Sequence, residues 1–164
     1  MCGIAGIMTV SGDAPDGKAL QSLTDALAHR GPDGDGIWVS ADGRVGLAHR
    51  RLAIVDLSDS AAQPMSDMNE SVWITFNGEI YNHLGLRREL QKSGHRFRTD
   101  HSDTEVLVHG FKEWGIDDLI KRLDGMFAFA LWDETAKRLF IVRDRIGIKP
   151  LYFTKAGGAF RFAS

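Results

Sequence analysis

Residues 125–132, the run Gly-Met-Phe-Ala-Phe-Ala-Leu-Trp, place apolar side chains on both faces of any strand they form. Such a strand has to be covered on two sides, so the run predicts a strand buried between two layers at the centre of the core. The rest of the chain supplies partners for it. Residues 138–144 return antiparallel after a polar turn at 134–137, and 151–154 with 159–163 make a last hairpin through Gly157-Gly158. Short strands at 37–40 and 45–49 are joined across Ala41-Asp42-Gly43-Arg44, in which Asp-Gly is a strong hairpin signal. A further strand at 72–76 is rich in β-branched and aromatic residues.

Helical patterns alternate with these strands. Ser11-Gly12-Asp13-Ala14-Pro15 reads as a turn with a helix start, and Leu20, Leu23 and Leu27 then follow one apolar stripe that ends near His29. Residues 84–90 look helical up to a stop at Gly94, and Ser102-Asp103-Thr104-Glu105 is a capping box opening a helix through Trp114. Taken alone, the pattern says α+β. At 164 residues, with 43% hydrophobic and 26% charged side chains, the chain suits one domain over 1–164. A formal net charge of −2 and no lysine- or arginine-rich run argue against a nucleic-acid partner. No stretch approaches the roughly 18 apolar residues of a membrane span, and Met1-Cys2-Gly3 lacks the cationic start of a secretory signal. A lone cysteine can form neither an internal disulfide nor a cysteine-based zinc site, so a reducing cytoplasm is the expected compartment.

That cysteine, Cys2, stands directly behind the initiator methionine in an apolar, glycine-punctuated start. Removal of Met1 would leave an α-amine and a thiol on one residue. An α-amine titrates near ~7.7–8.0 and a free thiol near ~8.5, so the amine can act as base for its own residue's nucleophile. The competing reading is an inert cysteine packed as a small hydrophobe. Other segments carry similar double readings. The loop His29-Arg30-Gly31-Pro32-Asp33-Gly34-Asp35-Gly36 lacks a P-loop lysine, and a calcium loop opening at Asp33 would put Ile37 and Arg44 at ligand positions. It reads as a structural turn, without a metal. At Arg50-Arg51 an arginine is either a surface ion pair or a clamp for a carboxylate. Asn77-Gly78 is either a two-residue hairpin turn or, through one side-chain amide and one glycine N–H, an oxyanion hole. Asp103 is either an ordinary helix-start aspartate or part of a site.

Together Met1-Cys2-Gly3-Ile4-Ala5-Gly6, His29-Arg30-Gly31-Pro32-Asp33, Asn77-Gly78-Glu79-Ile80-Tyr81-Asn82, Ser102-Asp103-Thr104-Glu105, the 125–130 run and Asp144-Arg145-Ile146-Gly147-Ile148-Lys149-Pro150-Leu151-Tyr152 closely resemble the N-terminal glutaminase domain of glutamine-hydrolysing asparagine synthetases. That family belongs to the class II glutamine amidotransferases, within the N-terminal-nucleophile hydrolases. The resemblance runs almost end to end. It implies a four-layer αββα sandwich with two mainly antiparallel sheets, and hydrolysis of glutamine to glutamate and ammonia. It implies Cys2 as nucleophile, Asn77 and Gly78 as oxyanion hole, and Arg51 as partner of the substrate α-carboxylate, with Arg50 a competing candidate. Glu79 and Asp103 match residues around the α-ammonium, and main-chain groups near Leu52 and Ile54 line the pocket. No cofactor is expected in this domain; ATP and magnesium belong to a synthetase domain that family members carry beyond Ser164 and that this chain lacks. The implied partners are glutamine and a synthetase domain or subunit receiving ammonia, and a homodimer is compatible with the family. Other readings are the glutaminase of another amidotransferase and a non-catalytic interaction module of the same fold.

Overall fold

The computed structural model describes residues 1–9, 17–52 and 62–164. The turn and helix start expected at 11–15 lie outside these residues, as does Ile54. The both-sided strand is β6 (Gly125–Asp133), and its alternation builds two cores. Phe127, Phe129 and Leu131 pack with Ile74, Phe76 and Leu107, whereas Ala128, Ala130 and Trp132 pack with Ile4, Leu47 and Phe162. Strands β5 (Val72–Ile80) and β7 (Arg138–Arg143) flank β6, and the two-residue β4 (Met65–Ser66) completes a sheet of order β4-β5-β6-β7. At two residues, β4 is too short to carry a period legible in the sequence.

The facing sheet has the order β2-β3-β1-β9-β8, from β1 (Gly3–Thr9), β2 (Gly34–Val39), β3 (Val45–Arg51), β8 (Tyr152–Ala156) and β9 (Ala159–Ala163). Every strand pairing among the described residues is antiparallel. Helix α1 (Gly17–Ala26) covers the outer face of this sheet, Leu20 and Leu23, with Leu27 just past its end, packing on Ala5, Ile7 and Ala48. Helices α2 (His83–Lys92) and α3 (Asp103–Arg122) cover the other sheet through Leu86, Leu90, Val106, Leu107 and Leu119. The layers therefore run helix, sheet, sheet, helix, the αββα sandwich that the resemblance implies.

Local expectations are corrected in three places. β5 does not turn at Asn77-Gly78 but runs on to Ile80, with Asn77 opposite Ala128 and Gly78 opposite Phe127. The reason is tertiary: β6 starts early enough to pair with the whole segment, and a Cβ at Gly78 would lie 2.2 Å from the Met126 carbonyl oxygen, so only glycine fits. Helix α3 continues past Trp114 to Arg122, across a non-helical residue at Gly115 (φ 70°, ψ 176°). The capping box is half made. The Glu105 N–H donates to Ser102 Oγ at 3.3 Å, but the Glu105 carboxylate accepts from the N–H groups of Arg98 (2.7 Å) and Thr99 (2.9 Å) instead of reaching back to Ser102.

Candidate active site

β1 is the middle strand of its sheet, held by β3 on one side and β9 on the other, so the residue just before it is carried to the end of a rigid ladder. That residue is Cys2. The Leu52 N–H donates to Cys2 Sγ at 3.4 Å, and Sγ lies 3.6 Å from the Leu52 carbonyl oxygen as a donor. Arg30 Nε donates to the Cys2 carbonyl oxygen at 3.3 Å. Arg30 reaches it because the loop at Gly31 presses onto β3: a Cβ there would sit 2.4 Å from the Arg50 carbonyl carbon and 2.5 Å from the Arg51 nitrogen. The Asp33 N–H donates to the Arg51 carbonyl oxygen at 3.0 Å and closes the contact. The loop that reads from sequence as a structural turn and family motif thus also delivers Arg30 to Cys2, a contact that no local pattern signals. Met1 is 57% exposed, with Lys149 Nζ 3.2 Å from its Sδ.

The adjacent arginines part company. Arg50 pins α1, donating to the Thr24 carbonyl oxygen at 2.9 Å and pairing with Asp25 (3.0 Å) and Asp35 (3.7 Å). Arg51, half-buried at the end of β3, leads directly into Leu52. Burial first, and then the Arg51 charge, push the neighbouring His49 imidazole down to about 4, against a backbone hydrogen bond at Phe76 that favours the charged form.

The second sheet contributes the facing groups. On β5 the side chains of Trp73, Thr75 and Asn77 all point at the first sheet: Trp73 stacks on Trp38 at 4.6 Å, and Thr75 Oγ1 donates to the Ala48 carbonyl oxygen at 3.0 Å. Asn77 Nδ2 donates to Ser164 Oγ at 2.9 Å. Ser164 exchanges both main-chain hydrogen bonds with Ile4, two residues from Cys2, so Asn77 is tied from the opposite sheet to the ladder that carries the thiol. Past Asn77 and Gly78, the half-buried Glu79 precedes Ile80, whose N–H donates to Asp103 Oδ2 at 3.1 Å. Burial raises the Asp103 carboxyl above its ordinary value, with the Ile80 bond opposing. Gln63 fastens the same corner, accepting from the Phe76 N–H at 2.7 Å and donating to Thr104 Oγ1 at 3.2 Å. Cys2 thus lies against Leu52, Asn77 against Ser164, and Asp103 against the N–H of Ile80, the residue after Glu79. Among the described residues no group of His, Cys, Asp or Glu side chains is arranged to hold a metal ion, and no helix is long and apolar enough to cross a membrane.

The sequence profile described as a glutamine amidotransferase domain matches residues 1–164. The chain belongs to that family. As a glutamine amidotransferase domain it is 42% identical, over its full length, to asparagine synthetase [glutamine-hydrolyzing] 3 of Bacillus subtilis, of which it covers 26%. It is 44% identical over 93% of its length to a probable asparagine synthetase [glutamine-hydrolyzing] of Dictyostelium discoideum, covering 27% of that protein. The domain thus spans about a quarter of the length of these relatives. In fold it is similar to the glutamine phosphoribosylpyrophosphate amidotransferase of B. subtilis, with a TM-score of 0.78 over 99% of the chain and 41% of the other, at 23% identity.

Proposed function

We propose that this domain hydrolyses glutamine with Cys2 as nucleophile, after loss of Met1, and that the ammonia passes to a synthetase domain of the same protein or to a partner subunit. The Cys2 thiolate attacks the side-chain carboxamide carbon, and the proton lost by sulfur is held on the residue's own α-amine. The negative oxygen of the tetrahedral intermediate is stabilised by Asn77 Nδ2–H and the Gly78 N–H. Collapse breaks the C–N bond, the α-ammonium returns the proton to the leaving nitrogen, and ammonia departs. Water then cleaves the thioester to glutamate and thiol. Arg51 binds the substrate α-carboxylate, and Glu79 and Asp103 bind its α-ammonium. The main chain at Leu52 lines the cleft between these opposite charges. The half-reaction takes no cofactor; ATP and magnesium serve the synthetase step, in which a carboxylate, aspartate in asparagine synthetases, is activated. The reading assigns the protein to the cytoplasm.

The observation that carries it is the place of Cys2 at the end of β1, the middle strand of its sheet, with Sγ against the Leu52 main chain, 3.4 Å from its N–H. The test uses the full-length protein. Intact-mass analysis should find Cys2 first, 6-diazo-5-oxo-norleucine should label the protein once, and Cys2→Ala should abolish glutamate release and labelling together. Full glutaminase activity with Met1 retained, or in Cys2→Ala, would overturn the proposal.

A further inference from the structure

Asn77 has to present one N–H to the oxyanion, yet nothing in an asparagine side chain dictates which way its amide plane faces. Rotation about its last torsion is broad and roughly two-fold. In this fold one neighbour removes that freedom. Asn77 and Ser164 are 1% and 4% exposed, and Nδ2 donates to Ser164 Oγ at 2.9 Å. Ser164 is itself immobilised: its N–H donates to the Ile4 carbonyl oxygen at 2.9 Å and its carbonyl oxygen accepts from the Ile4 N–H at 3.2 Å. The Ser164 backbone is therefore fixed on the ladder that carries Cys2, and its buried hydroxyl engages an amide rooted in the opposite sheet.

We infer that Ser164 is a positioning residue for the glutaminase reaction, holding the Asn77 amide plane so that one Nδ2 hydrogen is bound to Ser164 Oγ and the other remains for the oxyanion. This rests on the proposed role of Asn77. Because a carboxamide nitrogen carries two hydrogens, the two bonds are compatible, and making the first fixes the direction of the second. Without the hydroxyl the amide can rotate away between turnovers. The effect falls on the transition state, in which the oxyanion exists, and not on the zwitterionic end groups of bound glutamine.

Thr75 supplies a matched control. It lies on the same face of β5, two residues back, and makes a comparable bond between the sheets to Ala48, but it touches no group of the proposed mechanism. In the full-length protein, Ser164→Ala should lower kcat for glutamine hydrolysis roughly 10- to 100-fold, less than the ~10²–10³ typical for deleting an oxyanion donor, with KM nearly unchanged. Ser164→Thr, which keeps the hydroxyl, should restore most of kcat. Thr75→Val should lower the melting temperature and leave kcat alone. In the Asn77→Ala background Ser164→Ala should cost nothing further, since its target is gone. If Ser164→Ala does not fold, Ser164→Cys retains the volume with a poor acceptor and should show the same fall in kcat. Wild-type kcat in Ser164→Ala or Ser164→Cys, or losses that multiply with Asn77→Ala, would overturn the role of Ser164 alone. Full activity of Asn77→Ala or Cys2→Ala would remove the glutaminase reading beneath it.

Discussion

His49 lies on β3 two residues before Arg51, 2% exposed, with Nε2 making no hydrogen bond among the described residues. Burial holds its imidazole neutral down to about 4, whereas in the unfolded chain it protonates below its ordinary value of 6.5. Folded stability from keeping His49 neutral is therefore fully present above pH 6.5 and is lost as pH falls from 6.5 towards 4. Urea midpoints measured across that window should fall in the wild type and fall less steeply in His49→Gln; parallel curves would show that another group is responsible. Glu105 acts lower. Burial alone would raise its carboxyl, but hydrogen bonds from His109, the Arg98 N–H and Thr99 outweigh it and hold it at about 2, so its contribution is lost as pH falls from 4.5 towards 2. Residue identity marked both Arg50 and Arg51 as candidates without separating them. The register of β3 places Arg50 opposite Asp35, and α1 brings Asp25 within reach; only the packed chain exposes that difference.

At the scale of the element, β5 shows how a strong local signal loses. Asn-Gly favours a tight turn by some fraction of a kcal/mol, but β6 offers a continuous ladder from Val72 opposite Asp133 to Ile80 opposite Gly125. The longer set of hydrogen bonds and the burial of Ile74, Phe76 and Ile80 win. The outcome sets Asn77 on the face that looks at Cys2's sheet and leaves Gly78 pressed against the Met126–Phe127 backbone. Gly78→Ala should cost about 1–3 kcal/mol in chemical denaturation, since the neighbour at 2.2 Å is a carbonyl oxygen that cannot swing aside, and it should lower glutamine hydrolysis as well. An alanine variant with unchanged stability would mean that β5 and β6 separate easily here. Glu105 follows the same logic: a residue legible as half of a capping box is recruited by the otherwise unpaired N–H groups of Arg98 and Thr99.

Over the whole molecule, two sheets meet along β6, whose alternate side chains belong to different cores. Trp132 and Phe129, both 0% exposed, mark the two sides. Trp132→Ala and Phe129→Ala should each cost about 3–5 kcal/mol, read from denaturation midpoints, because neither neighbouring layer can move in without breaking a ladder. A variant losing less than 1 kcal/mol would point to a loosely packed seam. The both-sided run at 125–132, the stripe Leu20-Leu23-Leu27 and the hairpin at Asp42-Gly43 were legible because each is a short-range period or turn preference carried by neighbouring residues. The motif order carried the family for the same reason, being written along one chain. Tertiary structure alone decided that Asn77-Gly78 stays extended, that Arg30 and Leu52 donate hydrogen bonds to Cys2, and that Ser164 holds Asn77. Those contacts join positions 28, 50 and 87 residues apart, and no local preference encodes which of two faces, or which of two arginines, will meet a partner that arrives only when the sheets close.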